Sequence, residues 1–313
     1  MNITYKSSDI NERDLLKVLE LWNNEVGSIF PITEKGFYQN VVNYSDKEVM
    51  LAYDGDKLVG FIVLKTFSDD YLCEYKDNLF ISLFFVSRKY RRQGIGSLLL
   101  DFAEKKRENR NLIIGKDIYN FFPGVPNDFD NITDIWLEKR GFSGKRYTHD
   151  LIALKPRYFD IKNKDIVYKC CEDSEKEKLI EFLKKNNWKR WAYEAIDYFK
   201  NKSENDEKSY LIGVNSNNEI VSFVKINDYK MDMSPYNVMW QARFERLGGL
   251  GPLGVDSLYR KNGIGGDMLS FAIKTLLDKN IKEIMIDWTG LMDVYRKYGF
   301  EVWKAYKYMS KEY

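Results

Sequence analysis

The spacing of apolar residues along this chain alternates between the spacing typical of helices and the short apolar runs typical of strands. Between residues 15 and 22 they recur at helical spacing, which predicts an amphipathic helix. Residues 49–52 and 58–64 are short apolar runs joined by an Asp-Gly-Asp turn at 54–56, and this combination predicts a β-hairpin. A longer apolar run at 79–86 predicts a strand that leads into a glycine-rich turn and another helix. A further strand, a short helix and a last strand complete the series, so the pattern favours a mixed α/β layer structure over a run of βαβ units.

The same order of elements occurs twice in the 313 residues. Four segments of the first half match segments of the second half in the same order, at offsets of 163, 162, 169 and 158 residues. The matched segments are 3–6 with 166–169, 58–61 with 220–223, 86–96 with 255–265, and 141–142 with 299–300. Offsets that drift by a few residues indicate a duplication followed by changes in loop length. The halves meet near Pro156, which predicts one domain at 1–156 and a second at 157–313.

Composition and charge argue against several classes of function. The chain has 49 Lys and Arg residues against 47 Asp and Glu residues, so no strong basic field indicates nucleic-acid binding. No apolar run approaches the roughly 18 residues of a membrane span, and the first residues lack the apolar stretch of a signal peptide. Three cysteines, one histidine and no Cys-x-x-Cys pair argue against a disulfide framework and against a metal site. We therefore expect a cytoplasmic protein without a metal, a nucleic-acid partner or a membrane association.

A glycine-rich turn precedes the central helix of each half. The first copy is Arg91-Arg92-Gln93-Gly94-Ile95-Gly96, and the second is Arg260-Lys261-Asn262-Gly263-Ile264-Gly265-Gly266. Glycines bring backbone N–H groups close to a ligand, and the N-terminus of a helix attracts anions. Arginine and lysine add positive charge, so a diphosphate group is the expected ligand.

Several kinds of turn could produce this pattern. A Walker loop requires a Gly-Lys-Ser/Thr ending, which neither copy has. A dinucleotide-binding fingerprint requires a third small residue, whereas Leu99 and Met268 stand at that position. Two interpretations remain: the R/Q-x-x-G-x-G/A turn that binds coenzyme A in GNAT acyltransferases, and a strand-to-helix turn that is merely rich in glycine.

Both halves resemble the GNAT superfamily of acyl-CoA-dependent N-acyltransferases beyond this turn. The second half continues with Tyr295-Arg296-Lys297-Tyr298-Gly299-Phe300, which is similar to the Y-x-K-x-G-F ending of the family. The first half has Gly141-Phe142 in the same place, and the two-domain layout is similar to that of the mycothiol synthases. The resemblance implies two mostly antiparallel, twisted sheets, each with a central splay and flanking helices. It also implies acetyl-CoA as the acyl donor.

The same resemblance implies roles for particular residues. The turns at 91–96 and 260–266 would bind coenzyme A, and a backbone N–H at the end of the central strand, at Val86 or Val255, would bind the thioester oxygen. An amine would attack the acetyl group directly, and Tyr295 occupies the position of the general acid that protonates the leaving thiolate. In the first half that position is Leu137, which has no proton to give. We therefore expect catalysis in the second half. The first half would bind coenzyme A without turnover or serve structurally, and the alternative for Tyr295 is an ordinary core tyrosine.

The general base and the acceptor pocket have several candidates. Glu245 and Asp256 flank the strand that leads to the second turn, and either residue, or a chain of water molecules, could accept the proton of the amine. Trp240 and Trp288 could border the acceptor pocket or belong to the core. The first half has 11 extra residues between its turn and Gly141, around positions 121–127. This aromatic insertion predicts either a pocket wall or a seal of the domain interface.

Three functions fit these features. The leading one is transfer of an acetyl group from acetyl-CoA to a primary amine of a small molecule, such as an amino sugar, an amino acid, a polyamine or an aminoglycoside. A non-catalytic protein that senses acyl-CoA, or acts as a scaffold, would use the same turns. Acetylation of a peptide or protein would need an open groove. Tyr295 favours an enzyme, because a binding protein does not need a proton donor.

Overall fold

The architecture comes from a computed structural model, which describes residues 2–129, 132–206, 208–233, 236 and 239–313. The strands are β1 (Ile3–Lys6), β2 (Lys47–Asp54), β3 (Lys57–Lys65), β4 (Asn78–Val86), β5 (Asn111–Ile114), β6 (Val125–Pro126), β7 (Tyr147–Ala153), β8 (Val167–Cys170), β9 (Tyr210–Val214), β10 (Ile220–Asp228), β11 (Leu247–Val255), β12 (Glu283–Thr289), β13 (Glu301–Lys307) and β14 (Ser310–Lys311). The α-helices are α1 (Glu12–Val26), α2 (Glu34–Phe37), α3 (Ile95–Lys106), α4 (Ile132–Glu138), α5 (Lys176–Lys185), α6 (Lys189–Asn201), α7 (Ile264–Asp278) and α8 (Met292–Arg296). The chain forms two compact units: unit 1 holds Met1–Thr148 and Lys304–Tyr313, and unit 2 holds His149–Trp303.

Unit 1 is built on a sheet in the order β1-β2-β3-β4-β5-β14. Neighbouring strands are antiparallel except β4 and β5, which run parallel. Because β3 and β4 are apolar at almost every position, both faces of the sheet are buried at its centre. Helix α3 packs Leu99, Leu100 and Ala103 into the resulting core. Helix α1 starts with a capping box, in which the side chains of Asn11 and Asp14 each accept from the backbone N–H of the other.

Unit 2 repeats this plan in six successive strands of the second, eight-stranded sheet, in the order β7-β12-β11-β10-β9-β8. Here β11 and β12 are the parallel pair, and the other neighbours are antiparallel. Helix α7 packs Met268 and Ala272 into the core on one face of the sheet. Helix α6 covers the other face, where the ring of Trp191 lies 5.9 Å from the ring of Phe223 on β10. The sheet of unit 2 is therefore also covered on both faces.

The two parallel strands separate in each unit. In unit 1, β4 pairs with β5 only as far as Ile81, although β4 continues to Val86. In unit 2, β11 pairs with β12 only as far as Gly249, although β11 continues to Val255. The central strand also carries a β-bulge where the separation begins, at Ser82 in unit 1 and at 251–252 in unit 2. A bulge bends its strand and increases the local twist, which opens the splay beside it.

These observations confirm the predicted fold class, a mixed α/β sheet with a central splay and flanking helices in each of two tandem units. The predicted hairpins correspond to β2–β3 and β9–β10. The bounds of the compact units differ from the predicted 1–156 and 157–313. Residues 149–153 of β7 pair with β12 in unit 2, and β14 pairs with β5 in unit 1. The position of the boundary between the sequence repeats stays a prediction.

Several classes of site have no counterpart among the residues that the structure describes. In that part of the chain, no helix is long and apolar enough to cross a membrane. The same residues contain no group of three or more His, Cys, Asp or Glu side chains placed to hold a metal ion. Cys73, Cys170 and Cys171 are free thiols.

Candidate active site

Each glycine turn has the backbone conformation of an anion-binding loop. Gly94 (φ 86°) and Gly263 (φ 81°) lie in the left-handed region and cap the N-termini of α3 and α7. Arg92 (φ 63°) and Lys261 (φ 66°), two residues earlier, are left-handed as well. Left-handed residues in such a turn direct backbone N–H groups into a concave site, and the helix N-terminus adds partial positive charge. The two copies therefore share one backbone geometry at the position where a diphosphate is predicted to bind.

The second glycine of each turn lies against the end of the central strand. A Cβ atom at Gly96 would lie 3.7 Å from the side chain of Val86, and one at Gly265 would lie 3.5 Å from that of Val255. A larger side chain would therefore fill the space between the helix and the strand end. The remaining side chains of the turns divide between the core and the solvent: Ile95 and Ile264 are buried, whereas Arg91, Arg92, Gln93, Arg260, Lys261 and Asn262 are exposed.

In unit 2, additional contacts hold the turn in place. The hydroxyl of Tyr298 donates to the carbonyl of Gly266 at 3.1 Å, and a Cβ atom at Gly266 would come within 3.0 Å of that hydroxyl. The side chain of Asn163 donates to the carbonyl of Asn262 at 2.5 Å. The carboxylate of Asp267, in the first turn of α7, accepts from the backbone N–H of Asn163 at 2.8 Å. The turn is thus connected both to the Gly-Phe ending and to the segment before β8.

The first arginine of each turn binds the backbone of the central strand. Arg91 Nε donates to the carbonyl of Val86 at 3.0 Å, and Arg260 Nε donates to the carbonyl of Val255 at 3.1 Å. Arginine has five N–H donors, so the terminal nitrogens still offer charge and hydrogen bonds to an anion. This arginine therefore fixes the strand end and the turn relative to each other, a role that its pattern does not reveal.

The N–H groups of Val86 and Val255 face the splay. The following residues, Ser87 and Asp256, donate their N–H groups to Val59 and Val221 on the outer side, each at 2.9 Å. Successive residues of a strand direct their backbone groups to opposite edges. The N–H groups of both valines must therefore point toward the side on which the parallel strand has separated. This is the orientation that binding of a thioester oxygen requires.

A cleft of about 570 Å³ lies beside the turn of unit 1. Its walls come from the end of β4, the glycine turn and α4, and they include Val86, Arg91, Gly94, Gly96, Ile132 and Trp136. Aromatic and aliphatic residues form one part of the wall, while the arginines and glycines of the turn form another. Such a cleft suits a long ligand that has an apolar arm and an anionic group.

The predicted insertion around residues 121–127 is buried inside unit 1. The ring of Phe122 lies 5.6 Å from that of Trp22 and 5.1 Å from that of Phe30. Leu137, at the position that the family pattern assigns to the general acid, is 2% exposed in the same unit. The insertion therefore contributes to the interior of unit 1, and Leu137 supplies no proton donor there.

A buried ion pair lies beside the β-bulge of unit 1. Lys65 Nζ lies 2.8 Å from Asp117 Oδ2, and the two side chains are 0% and 1% exposed. The hydroxyl of Ser82, the bulged residue, donates to the same carboxylate oxygen at 2.9 Å. Lys65 also donates to the carbonyl of Tyr119 at 3.0 Å and lies 4.6 Å from the ring centre of Tyr44. These charges are compensated inside unit 1, so we interpret the pair as structural.

Tyr295 is buried at the splay end of unit 2. It lies on α8, which begins three residues after β12 ends, and it is 8% exposed. Its ring packs edge-on against Phe300 at 6.0 Å. Burial, together with the negative charge of Asp287, raises the pKa of Tyr295 above its ordinary value. The hydroxyl therefore keeps its proton at neutral pH, as a general acid must.

Asp287 is a candidate proton acceptor that the sequence patterns do not identify. It lies two residues beyond Met285, the last residue of β12 that pairs with β11. Its negative charge contributes to the raised pKa of Tyr295 and, together with other carboxylates, opposes the lowering of the pKa of Lys225 by burial. The sequence signal that could have identified Asp287 is its position: it is an acidic residue that interrupts the apolar run of β12 where the strands separate.

The other predicted pocket residues lie elsewhere. Glu245 precedes β11 at its paired end, about 30 Å along the strand from Val255, and forms a 2.6 Å ion pair with Lys282. Asp256 is buried, where it accepts the N–H of Leu258 at 3.0 Å and caps a short 3-10 helix. The geometry favours neither residue as the base. Trp240 is 1% exposed and belongs to the interior of unit 2.

Comparison with known proteins extends these observations. The model of the acetyltransferase (GNAT) family matches residues 15–116 and 169–300. No curated protein matches the chain. Each family match includes a complete glycine turn with its central strand, and the second match extends to Phe300.

Three solved structures each align with 99% of this chain. One is a GCN5-related glucosamine N-acetyltransferase region of a fungal multi-domain GH3 β-N-acetylglucosaminidase, with a TM-score of 0.86 and 21% identity, and this chain spans 38% of that protein's length. The second is a GCN5-related N-acetyltransferase from Sphaerobacter thermophilus, with a TM-score of 0.71, 13% identity and 95% of that chain covered. The third is a tandem GNAT protein from the clavulanic acid biosynthesis pathway, with a TM-score of 0.70, 11% identity and 98% of that chain covered. At such identities the structures show a shared fold, and the two family matches show that this chain is an acyltransferase that belongs to the acetyltransferase (GNAT) family.

Proposed function

We propose that this protein transfers an acetyl group from acetyl-CoA to the primary amine of a small molecule, and that unit 2 performs the reaction. The main support is Tyr295, a buried tyrosine of the unit 2 core on the helix that follows β12, whose raised pKa keeps its proton at neutral pH. The matching position of unit 1 is Leu137, which has no ionisable group. A proton donor is therefore present at this position in one unit only.

The proposed reaction begins with the acceptor amine. The turn at 260–266 holds the diphosphate of acetyl-CoA, and the pantetheine arm enters the splay between β11 and β12. The ammonium group of the acceptor gives a proton to the carboxylate of Asp287. The neutral amine then attacks the thioester carbon, while the N–H of Val255 stabilises the oxygen that becomes negative.

Collapse of the tetrahedral intermediate completes the transfer. The carbon–sulfur bond breaks, and the hydroxyl of Tyr295 gives its proton to the leaving thiolate. The second proton of the amine nitrogen passes to the Tyr295 phenolate, and Asp287 releases its proton to water. The products are the acetamide, coenzyme A with a free thiol, and one proton.

Unit 1 has a different role in this proposal: it binds coenzyme A without turnover. The backbone of its turn matches that of unit 2, and the adjacent cleft of about 570 Å³ suits the same ligand. Phe122 and the Lys65–Asp117 pair occupy the interior of the unit near the splay. Binding of coenzyme A would then stabilise unit 1 by mass action.

The acceptor that we would test first is an amino sugar. The fungal region that shares this fold over 99% of the chain is named as a glucosamine N-acetyltransferase. Glucosamine also has the single primary amine that the proposed reaction consumes.

Replacement of Tyr295 by phenylalanine tests the proposed general acid. Tyr295→Phe keeps the ring that packs against Phe300 but removes the proton, so kcat should fall about 10²–10⁴-fold. The KM for acetyl-CoA should change little. Thiol release from acetyl-CoA in the presence of an amine panel measures both constants.

The pH profile and a matched variant complete this test. Because the pKa of Tyr295 is raised, the protonated and active form should persist to high pH, and the wild-type kcat should decline only above about pH 10. Tyr53 in unit 1 is also 8% exposed, and Tyr53→Phe should retain the wild-type rate. Full activity of Tyr295→Phe, or an equal loss in both variants, would contradict the proposed role.

A further inference from the structure

Helix α6 places an ion pair beside the sheet of unit 2. Arg190 Nε donates to Glu194 Oε1 at 2.9 Å, and each side chain is only 15% exposed. The centre of the guanidinium lies 4.7 Å from the ring of Trp288 and 5.2 Å from the ring of Tyr236. An arginine that contacts a carboxylate and two aromatic rings has little rotational freedom, so it can orient a ligand at low entropic cost.

This ion pair lies next to the splay. Trp288 occupies the left-handed region (φ 50°), which is unusual for a large side chain, and its backbone N–H donates to the carboxylate of Asp150 at 3.1 Å. Trp288 directly follows Asp287, the proposed proton acceptor. The Arg190–Glu194 pair therefore borders the place where the acceptor amine must stand.

Lys225 adds a second basic side chain on the same face of the sheet. It lies on β10, two residues from Phe223, and the rings of Tyr198 and Tyr210 lie 5.2 Å and 5.7 Å from its Nζ. Burial lowers the pKa of Lys225, and nearby carboxylates, Glu194 among them, oppose this change. The face under α6 thus offers hydrogen-bond donors and acceptors side by side, together with aromatic rings.

The charges of this face discriminate among amines. The two members of the ion pair compensate each other, so an additional carboxylate on the acceptor would be attracted by Arg190 but repelled by Glu194, and an additional ammonium would meet the opposite balance. A hydroxyl group both donates and accepts hydrogen bonds. Neighbouring hydroxyls can therefore donate to Glu194 and accept from Arg190 without adding charge, while the C–H groups of the ligand lie against Trp288.

We propose that the Arg190–Glu194 pair is the acceptor-binding element of unit 2, and that it selects a primary amine carried on a polyhydroxylated body. This inference rests on the proposed acetyl transfer by unit 2 and specifies its acceptor class. It also assigns a function to α6, which lies outside the turn and the splay.

Two matched pairs of amines test the acceptor class. Glucosamine and cyclohexylamine both carry a primary amine on a six-membered ring, and glucamine and hexylamine are the open-chain counterparts. A site built to bind hydroxyls leaves buried polar groups unpaired when the hydroxyls are missing. With the wild-type protein, kcat/KM for thiol release should be at least about 100-fold higher for a hydroxylated amine than for its plain counterpart.

Substitutions of the ion pair test the assigned residues. Arg190→Lys keeps the charge but loses the planar, bidentate group, and Glu194→Gln keeps the shape but loses the charge. Each should raise the KM for the hydroxylated amine at least about 10-fold, while kcat and the KM for acetyl-CoA stay within about twofold. Asp278→Asn is the control, because Lys274 and Asp278 form an ion pair of the same spacing on the exposed face of α7. It should leave all constants unchanged.

The possible outcomes separate the two proposals. Equal rates with the plain and the hydroxylated amines would overturn the acceptor class but leave acetyl transfer intact. An unchanged KM for the hydroxylated amine in folded Arg190→Lys and Glu194→Gln, checked by their melting temperatures, would overturn the assignment to the ion pair. Absence of thiol release with every amine, although acetyl-CoA binds, would overturn the proposed function and this inference with it.

Discussion

At the scale of single residues, the first arginine of each glycine turn binds the end of the central strand and also lies at the predicted diphosphate site. Arg91 and Arg260 make the same Nε hydrogen bond to the last carbonyl of the central strand, at 3.0 Å and 3.1 Å. The bond holds the valine whose N–H faces the splay. A lysine could supply the charge but not this planar geometry, which explains why an arginine stands at this position in both turns.

The candidate site residues that can be identified from the sequence are those whose roles depend on neighbours close to them in the chain. The glycine turns and Tyr295 belong to short patterns, and their conformations follow from local backbone chemistry. Asp287 and Arg190 belong to no such pattern. Their proposed roles depend on the register of β12 against β11 and on a helix almost 100 residues earlier in the chain.

The buried ion pair of unit 1 gives a prediction at this scale. Lys65→Met would leave Asp117 charged and uncompensated in the interior, and this should lower the free energy of unfolding by about 3–5 kcal/mol. Lys65→Met combined with Asp117→Leu removes both charges and should recover most of the loss. Urea denaturation monitored by tryptophan fluorescence measures both values. A double variant that is less stable than Lys65→Met would contradict this expectation, because it would show that Asp117 stabilises unit 1 even without Lys65.

At the scale of elements, α6 and the closing strands account for most of what the sequence patterns do not predict. The buried residues of α6 include Ala192, Ala195 and Tyr198 at helical spacing, but polar and aromatic residues between them weaken the apolar signal. The closing strands are harder to predict, because a strand's own sequence does not determine which sheet it joins. The apolar patterns of residues 149–153 and of β14 are compatible with pairing to either of the two sheets.

The closing strand of unit 1 gives a prediction at the scale of elements. Met309 is 0% exposed in the core that contains Leu112, and its carbonyl accepts the N–H of Ile114 at 3.1 Å. A fragment of residues 1–156 lacks this strand and would expose the edge of β5. Its free energy of unfolding should be lower, by at least about 2 kcal/mol, than that of residues 1–148 joined through a flexible linker to residues 304–313. Equal urea midpoints for the two fragments would contradict the assigned strand pairing.

At the scale of the whole molecule, the duplication has preserved one part of the site and changed another. Both units keep the glycine turn, the arginine contact and the splay. They differ in the proton donor and in the side chains beside the splay. Repetition in the sequence predicts that the two glycine turns have the same local structure, because matched segments fold alike, but it does not predict the arginine contact. It could not predict that the interior of unit 1 is filled, because that depends on where the insertion at 121–127 packs.

The rate of thiol release by one pair of matched variants tests most directly whether unit 2 alone is catalytic. Gly96→Val and Gly265→Val change the same position of the two turns, where the added side chain projects between the strand end and the helix. With acetyl-CoA and the preferred amine, Gly265→Val should lower kcat/KM by about 100-fold or more, whereas Gly96→Val should stay within about threefold of the wild type. A large loss in Gly96→Val with retained activity in Gly265→Val would show that unit 1 is the catalytic unit.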